Sequence, residues 1–382
     1  MTRPLFIIFL TIFVNLIGFG IIIPLLPFYA QTFGASPVAI GLLFAVYSIC
    51  QLVAAPVLGD LSDRYGRRPV LIFSLAGTVV SFVLLALAHS LPMLFLARIV
   101  DGLSGGNIST ARAYVADITE PKDRARAYGI IGAAFGLGFI LGPALSGVLV
   151  HVSYTAPIWA AAVITLAATA VAWLWLPETV HRAHAGTGLP FRYLPQLLGR
   201  EGLRRVLAID FVYWFAFAIF QTTFALFAAR RLTFDASQTG YFFSAFGVLG
   251  ALVQGGCIRP VARRLGDTQT FRLGLACAAV GLVATALAHS VVAVSLALVP
   301  LALGMGFGHP TMASLVSRAA RDDEQGRVQG AAAALESLGR TLGPVWGNSS
   351  LQHLGEATPY LSAAGVLVLT LLMTVGYRVH DE

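Results

Sequence analysis

The run Gly59-Asp-Leu-Ser-Asp-Arg-Tyr-Gly-Arg-Arg-Pro-Val-Leu71 sets five charged residues between two long apolar segments. Only 11% of the 382 residues are charged and 57% are hydrophobic, with a mean hydropathy of +0.79. Soluble domains carry about 25% charged residues, so a soluble globule is excluded and this run is expected to be a polar loop between two membrane spans. Outward from it, about twelve apolar stretches are centred near residues 17, 48, 79, 103, 139, 165, 217, 247, 280, 304, 338 and 368. Each has roughly the 20 residues that a helix needs to cross a hydrocarbon core about 30 Å thick. Backbone polar groups in lipid must be satisfied internally, and barrel strands would alternate over about ten residues. The expected fold class is therefore an all-α membrane protein with twelve transmembrane helices.

The first apolar run, Leu5 to Tyr29, is longer than a signal-peptide core and lacks a small-residue cleavage pattern, so it is expected to remain as the first helix. Cys50, Cys257 and Cys277 all fall inside spans, which argues against a disulfide framework or a metal site. The net charge is +7. Its placement explains it without nucleic acid: most Lys and Arg lie at the N-terminus, in alternate loops or near the C-terminus, with Arg230 and Arg231 the main exception. By the positive-inside rule both termini are cytoplasmic, and contact with anionic membrane lipids accounts for the excess.

Pro177 to Arg205 is the longest polar stretch and falls near the middle of the chain. It divides residues 1–176 from residues 206–382, and 177–205 is expected to be a cytoplasmic linker. Across it the sequence repeats faintly. Arg126-Ala-Tyr-Gly129 and Leu141-Gly-Pro143 recur about 200 residues later as Arg327-Val-Gln-Gly330 and Leu342-Gly-Pro344. Two six-helix pseudo-symmetric bundles follow, the pattern of transporters whose substrate binds near the midplane between the halves. The second copy of the opening run, Arg259-Pro-Val-Ala-Arg-Arg-Leu-Gly266, keeps Arg264 and Gly266 but has Arg263 where the first copy has Asp63.

In the opening run, Gly59 and Gly66 permit tight turns, while Asp60, Asp63, Arg64, Arg67 and Arg68 can pair with neighbours or helix ends. The run resembles the loop motif of major facilitator transporters, Gly-x-x-x-Asp-Arg-x-Gly-Arg-Arg/Lys. That resemblance implies a conformational latch that stabilises the outward-facing state, with Asp63 against the start of the eleventh helix and Arg67 paired to an acid ending the fourth, for which Asp117 is available. In the fifth span, Gly132/Gly136 and Gly138/Gly142 form two small-residue stripes suited to close helix contact, and Pro143 loosens the backbone before it. The whole string from Gly132 to Gly147 resembles the Gly-Pro motif of drug:proton antiporters and implies export. With Gln51 to Gly59, Arg98-Ile-Val-Asp-Gly102 and Tyr114 to Thr119, nearly the whole first half resembles the tetracycline-resistance branch of the twelve-helix antiporters. The first helix departs from that branch with Asn15 in place of an acid, and Asp101 stands where a small residue is usual.

Charges deep in the spans cost about 2.5 to 3.5 kcal/mol each at a helix centre. Arg98 and Asp101 are three apart and Glu336 and Arg340 four apart, so each pair can share a face and neutralise itself. Asp101 and Glu336 are the proton-coupling candidates, with Arg98 and Arg340 their charge partners; an acid locked permanently to its Arg would carry nothing, so one pair is expected to open during transport. Asn15, Gln51, Asn107, Gln221, Gln254 and His309 are candidates to line a substrate cavity, with Asn348 among the same polar set. Trp346 and Phe220 are candidates for stacking on a flat substrate. Asp210, close to the start of the seventh span, is expected to pair or to snorkel to the inner surface.

The function these features support is proton-coupled export of a lipophilic small molecule such as tetracycline, by alternating access, in a bacterial cytoplasmic membrane and as a monomer. No phosphate-loop pattern implies a nucleotide cofactor. No hydrolase or zinc-protease signature implies an enzyme. A metabolite transporter of the same fold and a receptor or sensor without transport are the alternatives.

Overall fold

Segments that must satisfy their own backbone in lipid form helices throughout the computed structural model, which describes residues 2–120, 123–179, 194–321 and 324–374. The first half contains α1 (Arg3–Gln31), α2 (Pro37–Tyr65), α3 (Arg67–Ala86), α4 (Leu91–Ser104), α5 (Asn107–Ile118), α6 (Arg124–Leu149) and α7 (Ala156–Trp175). After the short α8 (Leu194–Leu198) come α9 (Glu201–Leu232), α10 (Ala236–Leu252), α11 (Ile258–Leu287), α12 (Val291–Ala319), α13 (Gln325–His353) and α14 (Thr358–Thr374). The pair α4 and α5 is one span broken at Gly105 and Gly106. A π-helical turn, Val253–Cys257, joins α10 to α11, and Gly266 at φ 78° and ψ 164° divides that stretch into two spans. Counted this way, the described residues contain the twelve spans expected from hydropathy.

The opening run is not the loop that its charges suggest. Helix α2 continues through Asp60, Asp63 and Arg64 to Tyr65, α3 begins at Arg67, and Gly66 between them has φ 106°. A residue without Cβ makes the reversal at little steric cost, so the charges sit on helix ends that face one another. Gly266 repeats the device in the second copy. Helix α9 begins at Glu201, inside the stretch expected to be linker; residues 180–193 of that stretch, and the loop position Lys122, lie outside the described residues.

Contacts divide the chain into two compact units. One comprises Met1–Ala35, Val46–Leu189 and Asp235–Ser244; the other comprises Ser36–Ala45, Pro190–Phe234 and Ala245–Glu382. In the first, Ile8, Leu75, Tyr114, Val115, Ala134 and Ala172 bring α1, α3, α5, α6 and α7 into one apolar core. Tyr114 is fully buried and donates its hydroxyl to the Pro177 carbonyl at 2.8 Å.

Lipid tails are as apolar as leucine, so helices in a membrane associate through close packing and small residues. The same solution appears in both units. A Cβ on Gly142 would lie 2.6 Å from the Ile17 carbonyl oxygen and 2.8 Å from Gly20 Cα, which is how α6 seats on α1. In the second unit, a Cβ on Gly343 would lie 2.6 Å from the Phe215 carbonyl oxygen, and one on Gly339 2.9 Å from that of Phe211, seating α13 on α9. The repeated Leu-Gly-Pro strings therefore mark equivalent helix contacts. The other stripe is a correction to the sequence reading: a Cβ on Gly132 or Gly136 meets nothing within 4 Å among the described residues. Gly147 takes a different neighbour, the first turn of α10, where Ser237 donates to its carbonyl at 2.7 Å and a Cβ on Gly240 would lie 2.7 Å from the Pro143 carbonyl oxygen.

Two pairs of substitutions separate the stripes. Gly142→Ala and Gly343→Ala press a methyl into backbone and are expected to destabilise by about 1–3 kcal/mol, seen as a lower unfolding temperature in detergent. Gly132→Ala and Gly136→Ala are expected to leave it unchanged or slightly raised.

Candidate functional site

Around the Gly66 reversal, α2, α3 and α5 deliver their polar ends to one guanidinium. Arg67 forms an ion pair with Asp63 one turn before it, and its Nε lies 3.2 Å from Asp117 Oδ2. Its Nη1 also donates to Ser62 Oγ at 2.7 Å. The expected partner Asp117 is thus in place, and Thr179 Oγ1 lies 3.3 Å from the same carboxylate. Arg67 is mostly buried, at 14% side-chain exposure, so this network is screened less than a surface pair. Arg64 and Asp60 also pair, at 2.9 Å, but both are open to solvent, and such pairs contribute at most about 1 kcal/mol.

Sequence reasoning missed the group that secures the start of α3. Glu178, just beyond α7, accepts from the backbone amides of Arg67 at 2.9 Å and Arg68 at 3.2 Å. A helix N-terminus leaves such amides without partners, and a carboxylate there also complements the helix dipole. The available signal was an acid immediately after the sixth span, in Leu176-Pro-Glu-Thr179, facing a helix with no capping side chain of its own. Arg68 Nη2 donates to the Trp173 carbonyl at 2.6 Å, which ties the same turn to α7.

The deep charges of the fourth span form the expected pair. Arg98 Nη1 lies 2.6 Å from Asp101 Oδ2, with the Arg98 side chain 2% exposed and that of Asp101 13% exposed. The Arg98 guanidinium stands 4.2 Å from the centroid of the Tyr47 ring, a cation–π contact that strengthens away from water. Ser81 on α3 is within hydrogen-bonding reach of Asp101. Close approach of α2 depends on Gly102, where a Cβ would meet the Tyr47 carbonyl oxygen at 2.5 Å. Gln51 belongs to this same packing: its amide nitrogen donates to the Gly105 carbonyl at 3.0 Å and to Tyr47 Oη at 3.2 Å, which employs it in holding α2 on α4.

In the second unit the charges gather differently. Asp210 does not snorkel: it is 2% exposed, and the charges of Glu336 and Arg340 both act on it across the α9–α13 contact. The Arg340 guanidinium lies 5.2 Å from the centroid of Trp214, and its Nη2 reaches Ser337 Oγ at 3.3 Å. His309, from α12, packs its ring edgewise on Trp214 with centroids 5.3 Å apart. The cluster is therefore two carboxylates, one arginine and an aromatic wall. Sequence spacing could foresee only the two members that share α13.

The remaining candidates separate by burial. Asn348 is fully buried and donates to the Pro344 carbonyl at 2.9 Å, a packing role. Phe220 is 1% exposed and packs against Phe224 and Phe246. Trp346 remains 45% exposed and donates to Ser362 Oγ at 3.0 Å. Asn15 is half-buried, Gln221 is buried, and Gln254 is exposed in the π-helical turn. The Asn107 side chain lies outside the described ones. The described residues contain no cluster of His, Cys, Asp or Glu suited to a metal ion, and the three cysteines are free.

The sequence matches a family model for the Major Facilitator Superfamily over residues 8–344. It is similar to the class G tetracycline resistance protein of Vibrio anguillarum, 36% identical across 86% of this chain and 85% of that one. It is also similar to the class C tetracycline resistance protein of Escherichia coli, 34% identical across 90% and 88% of the two chains. The crystal structure of the human organic anion transporter MFSD10 (TETRAN) superposes with a TM-score of 0.76 at 23% identity, over 97% of this chain and 99% of that one, a likeness of fold. Twelve spans, a glycine-hinged charged motif repeated in both halves, and a family match along most of its length have one reading: this chain belongs to the Major Facilitator Superfamily.

Proposed function

We propose that the protein is a proton-coupled exporter of lipophilic small molecules, tetracyclines among them, that works by alternating access. The observation that supports this most is similarity to tetracycline resistance proteins over 86% to 90% of the chain. The buried Arg98–Asp101 pair supplies a coupling group. Proton entry is an adequate energy source: one charge crossing 100 mV supplies about 2.3 kcal/mol before any pH gradient is added. In our reading the membrane is the bacterial cytoplasmic one, and both termini face the cytoplasm because the basic loops do. The transporter works as a monomer in contact with anionic lipid.

Asp101 and Glu336 are the coupling acids in this proposal. In the conformation described here Asp101 is closed onto Arg98. Protonating it leaves a buried guanidinium supported, among the described residues, by the Tyr47 ring, so proton uptake and rearrangement of α2 against α4 are linked. Breaking a buried ion pair from one side costs about 3–5 kcal/mol, enough to move a balanced equilibrium between two conformations. Asn15, Gln51, Asn107, Gln221, Gln254, His309 and Trp346 are the candidates to contact the substrate.

The test is tetracycline-triggered proton movement in proteoliposomes with an imposed pH gradient. Wild type is expected to release protons on adding tetracycline, and Asp101→Asn or Glu336→Gln, or both, to abolish that release. Full response in both variants removes these acids as carriers; no response in folded wild type moves the assignment to a metabolite transporter of the same fold.

The Arg67 network is the proposed latch. Arg67→Ala and Asp117→Ala are each expected to slow transport while the protein remains folded. Their combination should be no slower than Arg67→Ala alone, since both remove one interaction. Additive losses in the double variant would mean that the two residues act separately.

A further inference from the structure

Among the described residues, Asp210 is a buried acid that has no part in the coupling role given to Asp101 and Glu336. Asp210 sits nine residues into α9, about 14 Å along the helix from its start, and is 2% exposed. Its Oδ2 has no hydrogen-bond partner among the described residues. A buried carboxylate oxygen without a donor is a costly arrangement, and natural interiors retain it where chemistry uses it.

The neighbours say what that chemistry is. Helix α13 seats on α9 next to Asp210, where a Cβ on Gly339 would lie 2.9 Å from the Phe211 carbonyl oxygen, and the charges of its Glu336 and Arg340 act on Asp210. On its own helix the next group is Tyr213, fully buried, which feels the Asp210 charge and directs its hydroxyl to Met305 Sδ at 3.6 Å. From α12 comes His309, against Trp214. Helix α14 contributes no ionisable group except Tyr360, whose hydroxyl lies 3.3 Å from Thr223 Oγ1, more than three turns along α9. With both carboxylates ionised, Asp210, Glu336 and Arg340 carry a net charge of −1, and one added proton makes the cluster neutral. The Arg98–Asp101 pair is the reverse, neutral when ionised and positive when it takes a proton. Out of water, an uncompensated charge is expensive, so the two sites favour opposite protonation states.

We infer that Asp210 is a proton-binding residue of the transport cycle, on the face of α9 that packs against the helix carrying Glu336 and Arg340. This deepens the proton-coupling reading above and rests on it for its place in the cycle. The occupied site holds the proton on Asp210. Turning Arg340 from Trp214 toward the acids favours their ionised forms, so the proton departs to water and the cluster carries −1 until a cationic substrate or the next proton enters and restores neutrality.

Infrared difference spectra of the purified full-length protein test the site without any substrate. Wild type titrated with acid is expected to show the carbonyl stretch of a protonated carboxyl group; Asp210→Asn is expected to lose or shift that band, and Asp101→Asn to retain it. An unchanged band in folded Asp210→Asn overturns the inference. Asp210→Glu keeps the acid should the amide fail to fold, and is expected to move the band and its titration midpoint; an unaltered band and midpoint there overturns it equally. In proteoliposomes, Asp210→Asn is expected to exchange tetracycline across membranes without a gradient while uphill movement falls about tenfold or more, a change of one power of ten per 1.36 kcal/mol. Equal loss of both would mark a merely structural residue. If wild type moves no tetracycline, the transport reading fails while the infrared result still decides the proton site.

Discussion

A charge inside a bilayer has to be answered by another charge in the same bundle, and the sites of this protein are arranged by that constraint. Arg98 is answered by Asp101 one turn away and by the face of Tyr47. Arg340 is answered by acids on two helices and by the face of Trp214. Arg67, at the end of the membrane region, lies between Asp63 and Asp117. In each case an arginine is held by a carboxylate and an aromatic ring or a second carboxylate, and in each case the helices involved are brought close by glycine.

Glycine does this work in two ways. At Gly66 and Gly266 a positive φ reverses the chain in a single residue and keeps the flanking charges on helix ends. At Gly142 and Gly343 the missing Cβ lets backbones touch where no hydrophobic force draws helices together. The equivalence of these positions in the two units gives the internal repeat a physical meaning. What repeats is the packing. The charges do not repeat: Arg98 and Asp101 are both on α4, while the second unit divides its charges between α9 and α13. Outside the membrane, Glu324 before α13 accepts from Arg200 and from the Arg321 amide, which hold its carboxyl below the usual carboxylate range. That contact is present at neutral pH and is lost as acid protonates Glu324.

The twelve spans were visible in hydropathy, because an apolar run of membrane length has few alternatives to a helix. The Arg98–Asp101 pair and the Arg67–Asp117 pair were also visible, the first from spacing on one helix and the second from family resemblance. For Asp210 the snorkelling alternative failed, because the charges that act on it come from a helix more than a hundred residues away and a position near the presumed linker suggested the membrane surface. Glu178 was missed for a similar reason: its partners are backbone amides of a distant helix, which no side-chain pattern announces. Gly132 and Gly136 erred in the opposite direction, since a small-residue spacing permits a contact that no neighbouring helix takes up among the described residues.

Proton flow in one direction drives substrate in the other. Purified protein in liposomes with an acidic lumen and tetracycline outside tests it most directly. Tetracycline is expected to accumulate in the acidic lumen above the level in protein-free liposomes, and this accumulation to collapse when the pH gradient is dissipated. Accumulation that is no greater than in protein-free liposomes, or that persists after the gradient is removed, would contradict it.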